Sequence, residues 1–146
     1  MRHLIPFVQR VDGHVFASLS VIEILPDHKP QVLGSVEIAY FQDQRSLGVR
    51  RLYVDLKHRR QKIGTALMWC AVTIARLNQC RAVEFTADKK SGEAYGFYHS
   101  LGLQPNEHPD FPDDYLFSFA PSPHFPHPPF NIDCPTIETL LSLMLW

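Results

Sequence analysis

Two observations predict an α/β (α+β) fold with a mixed central sheet flanked by helices. Up to Leu56 the chain shows strand periodicity broken by turn signals; from Gln61 a helical stripe takes over. A further strand, a second helical pattern and a last strand follow. The order β-β-β-β-α-β-α-β fits one layer of strands with helices packed on its faces.

Leu4 to Val11 reads as a short strand, and Asp12-Gly13 is a hairpin signal before a second strand, His14 to Leu25. Pro26 to Pro30 is a loop. Val32 to Phe41 alternates, with Val32, Val36, Ile38 and Tyr40 on one face and Leu33, Ser35, Glu37 and Phe41 on the other. The polar stretch Gln42 to Ser46 turns the chain into a fourth strand, Gly48 to Leu56. Between Gln61 and Gln79, Ile63, Ala66, Leu67, Cys70, Ile74 and Leu77 form a single stripe, so this helix packs on the sheet. Ala82 to Ala87 reads as a buried strand. Ser91 is a good N-cap for the next helix, on which Ala94, Phe97, Tyr98 and Leu101 share a face and Gly102 is the stop. Tyr115 to Phe119 is the last strand.

With 146 residues, 45% apolar and 20% charged, the chain is expected to be one domain with a sizeable core. A formal net charge of −1 gives no general attraction to nucleic acid or to an anionic membrane, and neither is expected as a partner. No signal peptide or spanning stretch stands out. Cys70, Cys80 and Cys134 lack metal or redox spacing, and His124 and His127 have no Cys, Asp or Glu at ligand spacing, so no metal is expected. Reduced thiols fit a cytoplasmic location.

Chemistry concentrates between Leu52 and Ala66. An apolar strand end runs through a short basic loop into the first turn of a helix, whose leading N–H groups have no intrahelical partner. Such a turn binds phosphate; Arg59, Arg60 and Lys62 add cations, and Gly64 permits close approach of a ligand. Two other phosphate cradles do not fit. Lys62-Ile63-Gly64-Thr65 has the wrong order for a P-loop, and a dinucleotide fingerprint needs more glycines than Gly64 alone.

What remains resembles motif A of the GCN5-related N-acetyltransferase (GNAT) superfamily. There an apolar triplet, here Leu52, Tyr53 and Val54, leads into Arg/Gln-x-x-Gly-x-Gly/Ala. Counting from the strand puts Arg59 first and Gly64 last, with Lys62 where the first glycine usually stands. A second register, Gln61-x-x-Gly64-x-Ala66, matches the letters but begins later. Ser91-Gly-Glu-Ala94-Tyr-Gly-Phe97-Tyr98-His-Ser-Leu101-Gly102-Leu103 is similar to motif B, with Ser91 in place of Asn and Leu103 in place of an aromatic. The two blocks stand at the family's distance with a strand between.

The resemblance implies a mostly antiparallel sheet and acetyl-CoA as cofactor. It places cofactor contacts at Leu52, Tyr53, Val54, Arg59, Arg60, Gln61, Lys62, Ile63, Gly64, Thr65 and Ser91. It also implies acetyl transfer to an amine acceptor, on a small molecule or a protein. Tyr98 matches the family's acid. A glutamate often stands before the apolar triplet in relatives; Gly48 holds that position here. Glu37 is the best substitute base, ahead of Glu84 and Asp55. A CoA-binding regulatory or interaction module without turnover is the alternative, and an effector that acetylates a charged tRNA or a host protein is a third. Relatives usually carry two helices between their first two strands; the residues before Val54 leave that pair missing or reduced to a turn.

Residues 1–120 are thus expected to form the acetyltransferase domain and 121–146 a Pro- and His-rich tail. Thr136 can cap an apolar helix running to Trp146, which must dock to persist, on its own domain, in a homodimer contact or swap, or on a foreign partner or membrane.

Overall fold

The computed structural model describes residues 2–11, 14–27, 29–41 and 43–127. In order come β1 (Arg2–Val11), β2 (His14–Ile24), β3 (Pro30–Phe41), β4 (Ser46–Val54), α1 (Ile63–Leu77), β5 (Ala82–Asp88), α2 (Gly92–Ser100), β6 (Asn106–Glu107) and β7 (Asp114–Phe119). They build one seven-stranded sheet ordered β1-β2-β3-β4-β5-β7-β6. Among the described residues only β4 and β5 run parallel, and every other neighbouring pair is antiparallel. Val11 lies opposite His14, and no α-helix precedes α1 among the described residues. The helical pair that relatives place between their first strands is absent from that stretch.

The two faces of the sheet differ. Leu19 faces Val36, Ala17 faces Ile38 and Ile38 faces Val49; all are buried on the face that carries α1. Gly34 lies at the helix contact. A Cβ there would meet the Tyr53 carbonyl at 2.7 Å and Ile63 of α1 at 3.0 Å, so the close approach requires glycine. Phe85 and Phe117, opposite each other on β5 and β7, extend this face and receive Tyr98 of α2, with ring centroids 4.6 and 5.1 Å away. Both helices therefore share one face. On the other, Ser18, Ser20, Ser35 and Glu37 are half-exposed and Glu84 and Ser118 exposed, with no described helix over them.

Several expectations need correction. Val32 is 50% exposed and Leu33 fully buried. The β2–β3 register shifts between Val21 and Ile22, and this bulge turns Leu33 and Gly34 inward together. Leu77, placed on the buried stripe of α1, is exposed. The fourth strand begins at Ser46 and stops at Val54, and the short β6 was not foreseen.

After β7 the chain folds back onto the helical face. Phe125 is buried and stacks on Phe119 with centroids 6.0 Å apart, and the His127 ring lies 4.7 Å from that of Trp69 on α1. The Asp12-Gly13 turn, Cys134, the helix expected after Thr136 and the homodimer contact lie outside the described residues. Among the described residues no helix is long and apolar enough to cross a membrane.

Candidate active site

The site starts from a seam in the sheet. β4 and β5 pair only from Ser46 to Gly48 against Ala82 to Glu84, and then separate. Beyond that point β4 carries its own bulge: Glu37 faces Arg50 and Ser35 faces Tyr53, so Val36 opposes both Arg51 and Leu52. Arg51 takes a left-handed φ of 49° there. The bulge re-aims the last residues of β4 as they leave the seam.

The basic loop is anchored at its start. The Asp55 N–H donates to the Leu33 carbonyl at 2.8 Å, and the His58 Nδ1 lies 2.8 Å from the Asp55 carboxylate across a short 3-10 turn, Leu56–His58. Arg59 is extended, while Arg60 and Lys62 adopt positive φ of 67° and 65°. Lys62 then leads directly into α1, whose first helical bond runs from the Ala66 N–H to the Lys62 carbonyl at 3.0 Å. No side chain caps this end and no acidic residue stands in its first turn. The amides of Ile63, Gly64 and Thr65 are left for an anion.

A cleft of about 830 Å³ opens over this helix start. Of the residues singled out from the sequence, it brings together Leu52, Val54, Arg59, Arg60, Lys62, Ile63, Gly64, Thr65, Ser91 and Tyr98. Tyr53 and Gln61 do not line it; Tyr53 pairs with Ser35 and is half-exposed. Nor does Glu37, which sits on the opposite sheet face with its carboxylate 3.9 Å from Arg51 Nη1. Of the weaker base candidates, Glu84 accepts from Ser118 Oγ at 3.3 Å and Asp55 holds His58.

Tyr98 is fixed from both ends of its helix. Ser91 Oγ accepts the Ala94 N–H at 3.2 Å, as an N-cap should. At the other end the Gly102 N–H donates to the His99 carbonyl and the Leu103 N–H to the Tyr98 carbonyl, with Gly102 at φ 81°. That is a Schellman closure, and it brings buried Leu103 against the turn of buried Tyr98. Among the described residues the Tyr98 side chain makes ring contacts only, to Phe85, Phe117 and Phe97. Burial pushes its phenol up to about 12.

Gly64 has a reason that the sequence did not disclose. A Cβ there would meet the Phe97 ring at 3.0 Å, so the glycine lets α2 close against α1 as well as opening the cradle. Leu56, Glu93, Ala94, Phe97 and Ser100 complete the lining. Glu93 was the main omission: its carboxylate lies 2.7 Å from Arg59 Nη1, and no local spacing links residues so far apart in the chain.

Residues 7–103 match the model of the Acetyltransferase (GNAT) family. The fold is similar to that of a protein from Klebsiella pneumoniae subsp. pneumoniae MGH 78578 assigned as an acyl-CoA N-acyltransferase (TM-score 0.62, 20% identity, 73% of this chain and 73% of that one). It is also similar to the PaiA N-acetyltransferase of Thermoplasma acidophilum, solved with coenzyme A (TM-score 0.60, 16% identity, 72% of this chain and 60% of that one). Nourseothricin acetyltransferase is a third (TM-score 0.58, 17% identity, 84% and 87%). At such identities these likenesses concern the fold. A search of curated proteins found no match. The family match runs from β1 to the end of α2 and takes in both motifs and the whole cleft-forming core, so this chain belongs to the acetyltransferase (GNAT) family, acyltransferases that use acetyl-CoA.

Proposed function

We propose that the protein transfers an acetyl group from acetyl-CoA to an amine, on a small molecule or on a protein. One observation carries this reading. A single cleft joins an uncapped helix start with three cations beside it to a buried tyrosine on the neighbouring helix.

Acetyl-CoA, when bound, supplies an activated acyl thioester. The Ile63, Gly64 and Thr65 amides, with Arg59, Arg60 and Lys62, are suited to hold its diphosphate. The backbone of Leu52, Tyr53 and Val54, freed where β4 leaves β5, offers hydrogen bonds to the arm and to a developing oxyanion. Gln61 borders this turn, and Ser91 opens α2 at the cleft wall. Tyr98, with its phenol pushed up to about 12, keeps its proton throughout the neutral range. A thiol has a pKa of about 8.5, so Tyr98 acts by hydrogen-bonding the departing sulfur more than by surrendering its proton completely. Glu37 does not line this cleft; as the proposed base it serves an acceptor that approaches from the face free of helices, where β4 and β5 have separated, and takes the proton of the ammonium directly or through water. That open face suits a bulky acceptor. We assign residues 1–120 to the catalytic unit and 121–146 to an appended tail; the buried thiols of Cys70 and Cys80 fit a reducing cytoplasm.

Calorimetric titration with acetyl-CoA tests the cradle. Wild-type protein should bind, and Arg59→Ala/Lys62→Ala should bind at least about tenfold more weakly through loss of two cations. A folded wild-type protein that takes up no acetyl-CoA would refute the assignment. If binding holds, a panel of amines then identifies the acceptor, with Tyr98→Phe as the chemical control.

A further inference from the structure

Glu93 stands in the first turn of α2, where the helix start favours a carboxylate. Its Oε1 lies 2.7 Å from Arg59 Nη1, so the ion pair links α2 to the basic loop ahead of α1. Arg59 Nε also donates to the Val54 carbonyl at 3.4 Å. Both charged residues line the cleft, beside Arg60 and Lys62. In the cleft as it stands, Arg59 already pairs with an anion that belongs to the protein.

A diphosphate seated on the start of α1 needs the same guanidinium. It must draw Arg59 away from Glu93 or share it, and in either case its charge stands near a carboxylate. We propose that Glu93 is a built-in competitor of the cofactor: its carboxylate holds the guanidinium that the diphosphate needs, yields it on binding, and so sets how long the cleft holds coenzyme A. This inference rests on the assignment of the cleft to acetyl-CoA.

Two effects oppose each other here. Glu93 holds Arg59 in place, and keeping such a side chain ordered favours binding by about two- to tenfold. Against that, Glu93 lines the cleft that receives the diphosphate, and like charges brought within a few ångströms of each other in water weaken binding by up to about tenfold. Breaking the exposed pair adds up to about fivefold. Competition wins, by about fivefold at low ionic strength once the opposing terms are combined. The functional sense is release: coenzyme A is the product that must leave, and departure of product limits turnover in many enzymes.

The test is a set of four full-length proteins titrated with coenzyme A at low ionic strength: wild type, Glu93→Gln, Arg59→Gln and the double variant. Dissociation is followed by stopped flow. Glu93→Gln should bind about fivefold more tightly, mainly through slower dissociation, and the gain should disappear in the Arg59→Gln background. Unchanged or weaker binding by Glu93→Gln overturns the proposal. So does an equal gain without Arg59, which would mean that Glu93 acts as a general charge. A folded wild type that binds no coenzyme A overturns the cleft assignment itself, whereas normal wild-type binding with no effect at Glu93 overturns only the competition.

Discussion

Lys62 offers a direct test of how the cradle is built, because it occupies a backbone state that suits glycine. Its φ of 65° and ψ of 21° lie in the left-handed region, where an L-residue pays about 1–2 kcal/mol relative to glycine. Replacing it with glycine removes that strain but gives the unfolded chain more freedom, worth about 0.4–1 kcal/mol in the other direction. The exposed side chain has little packing to lose. Lys62→Gly should therefore be more stable than wild type by about 0.5–1 kcal/mol, a rise of about 1–4 °C in melting temperature for a chain of this size. Lys62→Ala keeps the strain and is the control; it should stay within about 0.5 kcal/mol of wild type. Both variants lose one cation and should bind acetyl-CoA about three- to tenfold more weakly, and by similar amounts. Urea denaturation and calorimetry read the two effects separately. If Lys62→Gly proves no more stable than Lys62→Ala, the strain argument is wrong.

Other perturbations read different parts of the structure. Gly64→Ala drives a methyl to within 3.0 Å of the Phe97 ring and should cost about 1–3 kcal/mol in urea denaturation; a second change, Phe97→Leu, should restore part of it. Tyr98→Phe should lower kcat by about 10²–10⁴-fold while acetyl-CoA affinity changes little; an equal loss in both would point to a packing role. The Tyr98 phenol, raised from 10.0 to about 12 in the folded state, contributes stability that is complete below pH 10 and lost as pH climbs toward 12. Thermal melts across that window should fall more steeply for wild type than for Tyr98→Phe. Phe125→Ala removes the ring stacked on Phe119 and should destabilise the protein by about 3–5 kcal/mol, measurable as a lower urea midpoint at unchanged slope.

Much of this architecture was legible because it is written in local spacing. Alternation placed Glu37 correctly on the face opposite Val36 and Ile38. The strand–loop–helix junction brought Arg59, Arg60, Lys62 and the first amides of α1 to one cleft. Ser91 and Gly102 marked both ends of the helix that holds Tyr98. Local pattern fails where one extra residue changes the count, as at Leu33, whose bulge reverses the expected exposure of Val32. It also fails where partners are remote in the chain. Gly64 looked like room for a ligand, yet Phe97 fills part of that room. Arg59 looked available to phosphate, yet Glu93 holds it. One-sided packing of the helices is a tertiary outcome that an amphipathic stripe cannot specify, because a stripe states which residues are buried and not on which side of the sheet.

The short parallel seam between β4 and β5 also has a consequence for how the molecule is assembled. β1 to β4 join as successive antiparallel neighbours, each closing a short loop onto the strand before it. The seam closes only after the whole of α1 has been laid across the sheet, and it then gains just three residue pairs. Its entropic cost is higher and its return smaller, so it belongs among the late-forming and easily opened parts of the fold. The cleft is lined by the end of β4 beyond that joint and by α1 and α2, the helices that enter and leave β5 along the chain. Bound acetyl-CoA should therefore slow amide exchange most in β5 and the start of α1, leaving the β1–β3 meander nearly unchanged, and so serve as the last structural member of the fold it uses.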